Sequence, residues 1–340
     1  MTDTTALKNQ HGIFLALGGG AARGLAHLGV MQAFQRHGIP ISGICGTSMG
    51  ALVGAIYALS PDAAQVIGDI ADYLGSDHFN RARYSFIRKV QKTENDDGKH
   101  NLRQKLQQGI LLGRSFTTGS IVPYKEFEGE IHSLLPAKTF RNTKIPFFAV
   151  SLDLVQSKEV VFNKGYLRPA VMASCAIPGV FPAVASGEGV YVDGGWMNKI
   201  PVSPLIAFGA ERVLALDVSD EPVLDFNPKR GYSLLTQTHR AAQVRLQELQ
   251  LAGASMIWRL PVKDLHWAEF AQIDKAVAIG SEFAEAHIDE AKNLLHTGTR
   301  PSWRQRLGSW IAGGKNRPER APGFEIRSIW EASEAEETYQ

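Results

Sequence analysis

Two glycine-flanked segments hold residue types able to attack a carbonyl and to stabilise the charge that results. In Gly46-Thr47-Ser48-Met49-Gly50 a serine follows an apolar run of strand character and precedes the apolar stretch 51–59. A serine in a sharp strand-to-helix turn is pushed clear of the sheet, and flanking glycines let the turn close and a substrate approach. The helix start adds N–H groups without intrahelical partners and a dipole that favours negative charge. G-x-S-x-G by itself recurs by chance in a glycine-rich chain, so the strand before it and the helix after it carry the weight. In the bland alternative Ser48 merely caps the helix.

The second segment, Gly18-Gly19-Gly20-Ala21-Ala22-Arg23-Gly24, also joins a strand-like run to a helical one. Consecutive glycines can aim several N–H groups into one space, and such a nest holds an anion. A dinucleotide fingerprint G-x-G-x-x-G fails in both frames, because the sixth residue from Gly18 is Arg23 and the third from Gly19 is Ala21. No Gly-Lys-Ser or Gly-Lys-Thr follows, so a Walker-type phosphate loop fails as well. The anion that fits is the oxyanion formed when a serine attacks a carbonyl.

A serine hydroxyl needs a base. The ten histidines are scattered, with His27 and His37 on the first helical stretch and His239, His266 and His287 far toward the C-terminus. His27 reads as a packing or hydrogen-bonding group at its helix. Asp193 ends the strand-like run Val190-Tyr191-Val192 and is followed by Gly194 and Gly195, which suits a carboxylate at a sheet rim with bare backbone around it. Asp153 and Asp217 also end such runs and compete for the role, although their contexts suit turns and caps. A carboxylate at its ordinary pKa of ~4 is a weak base, so the role calls for a partly desolvated pocket.

The elements that must position these groups follow from periodicity. Residues 13–17, 41–45, 147–152, 159–162, 190–192 and 212–217 read as strands. Between the first two, Leu25, Leu28, Met31 and Phe34 recur every three residues, and Tyr124, Phe127, Ile131 and Leu134 mark another helical face. Strand, helix, strand in repetition predicts parallel strands joined by crossover helices, hence one α/β domain over residues 12–298 after a polar segment 1–11. After Tyr232 two long helical patterns, 233–253 and 270–295, flank a short strand-like run at 255–260.

Composition sets the outer limits. The chain has 340 residues with 36 Lys+Arg against 34 Asp+Glu, a net charge of +2 that gives no electrostatic case for nucleic acid. Hydrophobic residues at 44% and charged residues at 21% exclude a disordered chain. Cys45 and Cys175 are too few for a disulfide framework and read as buried, reduced thiols. No apolar leader run is visible at 1–11, and the longest apolar run, 49–59, falls short of the ~20 residues that span a bilayer. A cytoplasmic protein, peripheral at most on the inner membrane face, is the expectation.

Two segments bear on membrane contact. Residues 78–108 interleave Arg81, Arg83, Arg88, Lys89 and Lys92 with Phe79, Tyr84, Phe86 and Ile87. This reads equally as a solvated insertion and as a lid meeting anionic headgroups. In the tail 299–340, Trp303, Leu307, Trp310 and Ile311 form a stripe on a predicted helix 302–312, with arginines and lysines continuing to residue 320. An interfacial helix has this pattern, as does a helix docked on its own domain.

Taken together these residues resemble the patatin-like phospholipases, in particular bacterial cytoplasmic-type members. The glycine loop with Arg23-Gly24, the Ser48 turn, Ala173-Ser174-Cys175-Ala176-Ile177-Pro178-Gly179-Val180-Phe181-Pro182 and Asp193-Gly194-Gly195 stand in the family's order, over about residues 13–218. The resemblance implies a three-layer α/β/α fold with a mainly parallel central sheet, plus C-terminal helices. It implies a lipid acyl hydrolase with a Ser-Asp dyad, acyl-enzyme chemistry, and neither metal nor cofactor. Ser48 would be the nucleophile, Asp193 the base, and the backbone of Gly19, Gly20 and Ala21 the oxyanion hole. Gly18, Arg23, Gly24, Gly46, Gly50, Gly194 and Gly195 would support loop and turn, while Met49, Pro178 and Phe181 are expected at the substrate pocket. The expected partner is a lipid or acyl ester, with membrane contact through 78–108 and 302–320 and the oligomeric state open. An acyltransferase, a thioesterase or a regulatory protein without turnover would share every motif. One departure stands out: the family's third loop glycine is Ala21 here, which costs energy if that position needs positive φ.

Overall fold

The computed structural model describes residues 11–81, 119–219, 231–297 and 325–329. It opens with β1 (Ile13–Leu17), all of whose residues are buried. A strand covered on both faces needs no polar alternation, so it reads as a continuous apolar run. A 3-10 turn (Ala21–Leu25) and α1 (Ala26–Arg36) lead to β2 (Ile41–Thr47), which lies parallel to β1 with Leu17 opposite Gly46. Next comes α2 (Met49–Leu59), buried from Gly50 to Ala58 and for that reason without a polar face. Asp62 caps α3 (Ala63–Gly75), accepting the N–H groups of Ala64 and Gln65 at 3.1 and 3.2 Å, and α4 (Asp77–Arg81) follows.

The second stretch holds α5 (Tyr124–Leu134), β3 (Phe147–Asp153), β4 (Lys158–Gly165), α6 (Leu167–Cys175), β5 (Val184–Ser186), β6 (Gly189–Asp193), α7 (Val202–Ala207) and β7 (Val213–Asp217). The third holds α8 (Gly231–Leu251), β8 (Met256–Arg259), α9 (Ile273–Ala286) and α10 (Ile288–Thr297), and the last is β9 (Glu325–Ile329). The segment expected as one helix over 270–295 is a 3-10 turn and two helices, broken at His287. No helix among the described residues is long and apolar enough to cross a membrane.

The described strands form one sheet in the order β5-β6-β3-β2-β1-β7-β8, with β4 on β3 and β9 on β4. Alternate residues of β1 feed two cores: Ile13, Leu15 and Leu17 join α1, α2, α3, α5 and α6 on one face, whereas Phe14 and Ala16 join α7 and the end of α8 on the other. That is the three-layer α/β/α arrangement. The pairings of β1 with β2 and β7, of β2 with β3 and of β7 with β8 are parallel. Reading every strand connection as a crossover is corrected at one end of the sheet, where β3–β4, β3–β6 and β5–β6 are antiparallel. The physical reason is the length of the links: β3 to β4 and β5 to β6 are joined by short turns, through Ser157 at φ 53° and Gly187 at φ 55°, which return the chain beside itself.

This antiparallel end positions the candidate site residues. Along one edge β3 pairs Phe147 to Val150 with β2, ending at Thr47 opposite Val150. On its other edge β3 pairs Ala149 to Asp153 with β4. Because β4 occupies that edge throughout, β6 takes the edge that β2 has vacated, with Asp193 opposite Ser151. The strands β2 and β6 therefore meet head to head, and the residues at their C-terminal ends, Ser48 and Asp193, converge.

Most of the segment 78–108 and the stripe at 302–312 lie outside the described residues, as does the polar segment 1–10. Within the tail, β9 pairs parallel to β4.

Candidate active site

Ser48 stands at the tip of the β2–α2 turn with φ 56° and ψ −126°, a left-handed backbone that non-glycine residues avoid. Its carbonyl accepts the N–H groups of Ala51 and Leu52, so the helix begins at once. Gly46 and Gly50 make this turn sterically feasible: a Cβ on Gly46 would collide with the Gly50 carbonyl, and one on Gly50 with the Leu17 carbonyl. The strained residue is also tied down. Its N–H donates to Ser174 Oγ at 3.0 Å, and Ser174 Oγ donates in turn to the Val150 carbonyl at 2.6 Å. Thr47 Oγ1 donates to the Asn198 carbonyl at 2.9 Å, pinning the residue just before the turn.

Asp193 is 5% exposed, and its carboxylate accepts the Gly195 N–H at 2.7 Å and the Ser48 hydroxyl. Burial pushes its pKa up to about 6, against the opposing pull of the Ser48 and Gly195 hydrogen bonds and of the Lys199 charge. Gly194 and Gly195 form the 3-10 turn directly after it. The two other strand-end carboxylates have different partners. Asp153 receives Arg327 Nη1 at 2.7 Å. Asp217 accepts the Ser219 N–H at 2.8 Å and Gln247 Nε2 at 3.2 Å.

The glycine loop packs against Ser48, since a Cβ on Gly19 would lie 3.1 Å from Ser48 Cβ. Its N–H groups are not all available. Gly18 donates to the Leu216 carbonyl at 3.1 Å and Gly19 to the Lys199 carbonyl at 3.0 Å. Gly19 is thus corrected as an oxyanion donor: its N–H is spent on the main chain. Among the described residues, the N–H groups of Gly20 and Ala21 have no main-chain acceptor. Ala21 has φ 47°, so the departure from glycine falls at a position of left-handed backbone. Arg23 Nε donates to the Leu265 carbonyl at 2.7 Å and the Ala22 N–H to the Trp267 carbonyl at 2.8 Å, which anchors the loop to the segment after β8. Gly24 packs on Met49. His27 bonds the Gly18 carbonyl through Nε2 at 2.8 Å, and burial lowers its pKa to about 4. It is therefore a neutral donor that braces the loop.

An apolar cleft of about 780 Å³, counted with its open mouth, runs from Ser48 between α2, α3 and α5. Its walls include Leu25, Met49, Leu52, Ile70, Phe127 and Phe181, with Phe127 and Phe181 stacked at 4.4 Å. Met49 and Phe181 line this cleft, whereas Pro178 is exposed and off its wall. Its contribution is geometric: Val180 N–H bonds the Ile177 carbonyl at 3.0 Å across Pro178 and Gly179, the latter at φ 80°, a type II turn with proline and glycine at its two corners. The turn delivers Ile177 and Phe181 to the cleft.

Sequence reasoning missed Ser174, Thr47 and Asn198 as supports of the Ser48 turn. Ser174 lay in the quoted segment 173–182, where a serine amid apolar helix residues was the available signal. The Asn198 carbonyl left none, because main-chain acceptors carry no residue type.

The family model described as patatin-like phospholipase matches residues 15–206. The lysophospholipase NTE1 of Mycosarcoma maydis is 30% identical over 317 residues, covering 84% of this chain and 15% of its own length. That of Saccharomyces cerevisiae is 31% identical over 211 residues, covering 61% of this chain and 11% of its own. An uncharacterized NTE family protein of Mycobacterium bovis is 29% identical over 221 residues, 64% of this chain and 52% of its own. The chain thus spans about half or less of the length of these relatives. Among solved structures, VipD from Legionella pneumophila aligns at a TM-score of 0.40 and 15% identity, over 84% of this chain and 67% of its own.

Proposed function

Since the chain belongs to the patatin-like phospholipase family, we propose that it is a lipid acyl hydrolase working through Ser48 and Asp193 without histidine. The observation that carries this reading is the hydrogen bond between the Ser48 hydroxyl and a buried carboxylate whose pKa has risen to about 6, at the mouth of an apolar cleft.

In the first half-reaction Asp193 takes the hydroxyl proton as Ser48 Oγ bonds to the ester carbonyl carbon. The carbonyl oxygen becomes an oxyanion and is held by the N–H groups of Gly20 and Ala21, each such donor being worth ~3 kcal/mol. Collapse breaks the ester bond, and the departing alcohol takes the proton from Asp193. Water then attacks the acyl-Ser48 ester, giving its proton to Asp193, which returns it to Ser48 as the carboxylic acid leaves. The left-handed Ser48 backbone serves this by setting the residue at the tip of the turn, on the wall of the cleft. The acyl chain lies in the cleft, whose polar lining is confined to a few side chains.

A serine-directed fluorophosphonate is expected to label Ser48, and Ser48→Ala to abolish both labelling and turnover of lysophospholipid and short acyl esters while circular dichroism is unchanged. Label on another residue, or turnover by Ser48→Ala, would refute the assignment. Acyl transfer to an added alcohol in preference to water would make the protein an acyltransferase on the same dyad.

A further inference from the structure

Apart from Ser48, the cleft lining is apolar save for Glu130 and Tyr73, each of which has a buried polar atom that makes no hydrogen bond among the described residues. Glu130 on α5 is 6% exposed, and its Oε1 makes no hydrogen bond among the described residues. Tyr73 on α3 lines the same cleft, and its buried hydroxyl is likewise unpartnered. His78 on α4 lies beside both: its Nε2 is 3.8 Å from Glu130 Oε1, beyond hydrogen-bond reach, and its ring centroid is 6.3 Å from that of Tyr73. His78 is 63% exposed, so it stands on the solvent side and Glu130 on the cleft side.

A buried polar atom without a partner costs about 1–3 kcal/mol, so two such atoms in a cleft for plain hydrocarbon would be a standing penalty. The penalty is relieved if the occupant carries a polar group at that depth. Burial holds the Glu130 carboxyl near 7, where its acid and carboxylate forms are both populated at neutral pH. A carboxyl of this kind and a phenol can each donate and accept, and a hydroxyl answers both.

We infer that Glu130 and Tyr73 form a polar station in the acyl cleft, and that the preferred substrates are esters of hydroxylated acyl chains. The inference rests on the proposed reading of the cleft as the acyl site. Its chemistry is a pair of hydrogen bonds, from the chain's hydroxyl to Glu130 Oε1 and from the Tyr73 hydroxyl to the chain's oxygen. An unsubstituted chain would leave both side chains dry and unpaired, which is how a polar pocket discriminates against the analogue lacking the group.

The test uses the full chain and p-nitrophenyl esters of one chain length: unsubstituted, hydroxylated at successive positions, and ending in trimethylammonium. One hydroxylated ester is expected to exceed the unsubstituted one in kcat/KM by about tenfold. Glu130→Leu should erase that ratio while improving the unsubstituted ester, Tyr73→Phe should reduce it, and the isosteric Glu130→Gln should retain part of it. Binding of the matching free hydroxy acid to Ser48→Ala, followed by calorimetry, reads the station without turnover and is expected to be tighter than that of the plain acid. Equal binding and equal kcat/KM for plain and hydroxylated chains would overturn the inference, as would a preference that survives Glu130→Leu or one for the cationic chain. Preferential binding with no turnover of any ester would support the station and fault the dyad instead.

Discussion

Asp193 and Asp153 end neighbouring antiparallel strands, and both are buried, at 5% and 0% exposure. Asp193 faces Ser151 across the ladder and Asp153 faces Tyr191, so the two carboxylates mark opposite ends of the same short pairing. At the Asp153 end Arg327 of β9 supplies a guanidinium at 2.7 Å and also bonds the Tyr191 hydroxyl at 2.9 Å, while the Val155 N–H adds a further bond at 2.9 Å. At the Asp193 end the direct donors are a hydroxyl and one N–H. Two residues alike in type, position and burial thus divide into a structural clamp and a carboxylate beside the Ser48 hydroxyl, the base of the proposed mechanism. The lesson is that the partner set, more than depth of burial, decides which buried acid stays available for chemistry.

The comparison breaks or holds on paired substitutions. Asp193→Asn is expected to lower kcat/KM by about 10³–10⁴-fold. Its folded state should gain stability at pH 8. The sign follows from the raised pKa: above about 6 the carboxylate is charged in both folded and unfolded chains, and only the folded chain buries the charge. Asp153→Asn should do the reverse, keeping activity within a few-fold and losing about 3 kcal/mol in chemical denaturation, because Arg327 loses its counter-charge. Equal activity losses in the two variants would erase the distinction.

The pH profile sharpens it. A base must be ionised to accept a proton, so kcat/KM should fall about tenfold per unit below pH ~6 and level off above. The residual activity of Asp193→Asn should be flat over the same range. An acid limb near pH ~4, the ordinary carboxylate value, would mean that burial does not hold Asp193 where the geometry places it.

Much of the site was legible because its parts are local. A serine between glycines, a glycine run and an aspartate before two glycines each carry their meaning within a few residues, and apolar periodicity located β1, α5 and most other elements near their observed bounds. What escaped depends on pairing between distant segments. That β6 succeeds β2 along β3, and so brings Asp193 to Ser48, follows from register, and register is set by turns and cores together. The Gly19 N–H looked free because its acceptor, the Lys199 carbonyl, lies far along the chain. Arg327, in the tail 299–340 where only a helix at 302–312 was expected, clamps the sheet beside the strand that bears Asp193. Removing residues 302–340 to test membrane binding would therefore remove part of the sheet as well.

Ala21 and Ser48 offer the smallest and last test, since both hold left-handed backbone, at φ 47° and 56°, on the two turns that meet at the cleft. At Ser48 the strained turn sets on the cleft wall the hydroxyl that the proposed mechanism uses, and glycine there would remove that hydroxyl along with the strain. At Ala21 the proposed contribution comes from the main-chain N–H, which any residue supplies, and the methyl group adds only the clash between Cβ and the following carbonyl. Ala21→Gly is accordingly expected to raise stability by about 0.5–1 kcal/mol, the relief of strain being partly offset by the greater freedom of glycine in the unfolded chain. Denaturation midpoints would record the gain, and kcat/KM should change by less than about threefold because the donor itself stays. A loss of stability would show that the Ala21 methyl contributes more through its place on the cleft wall than its backbone angle costs, and the two left-handed residues would then be alike in earning their strain.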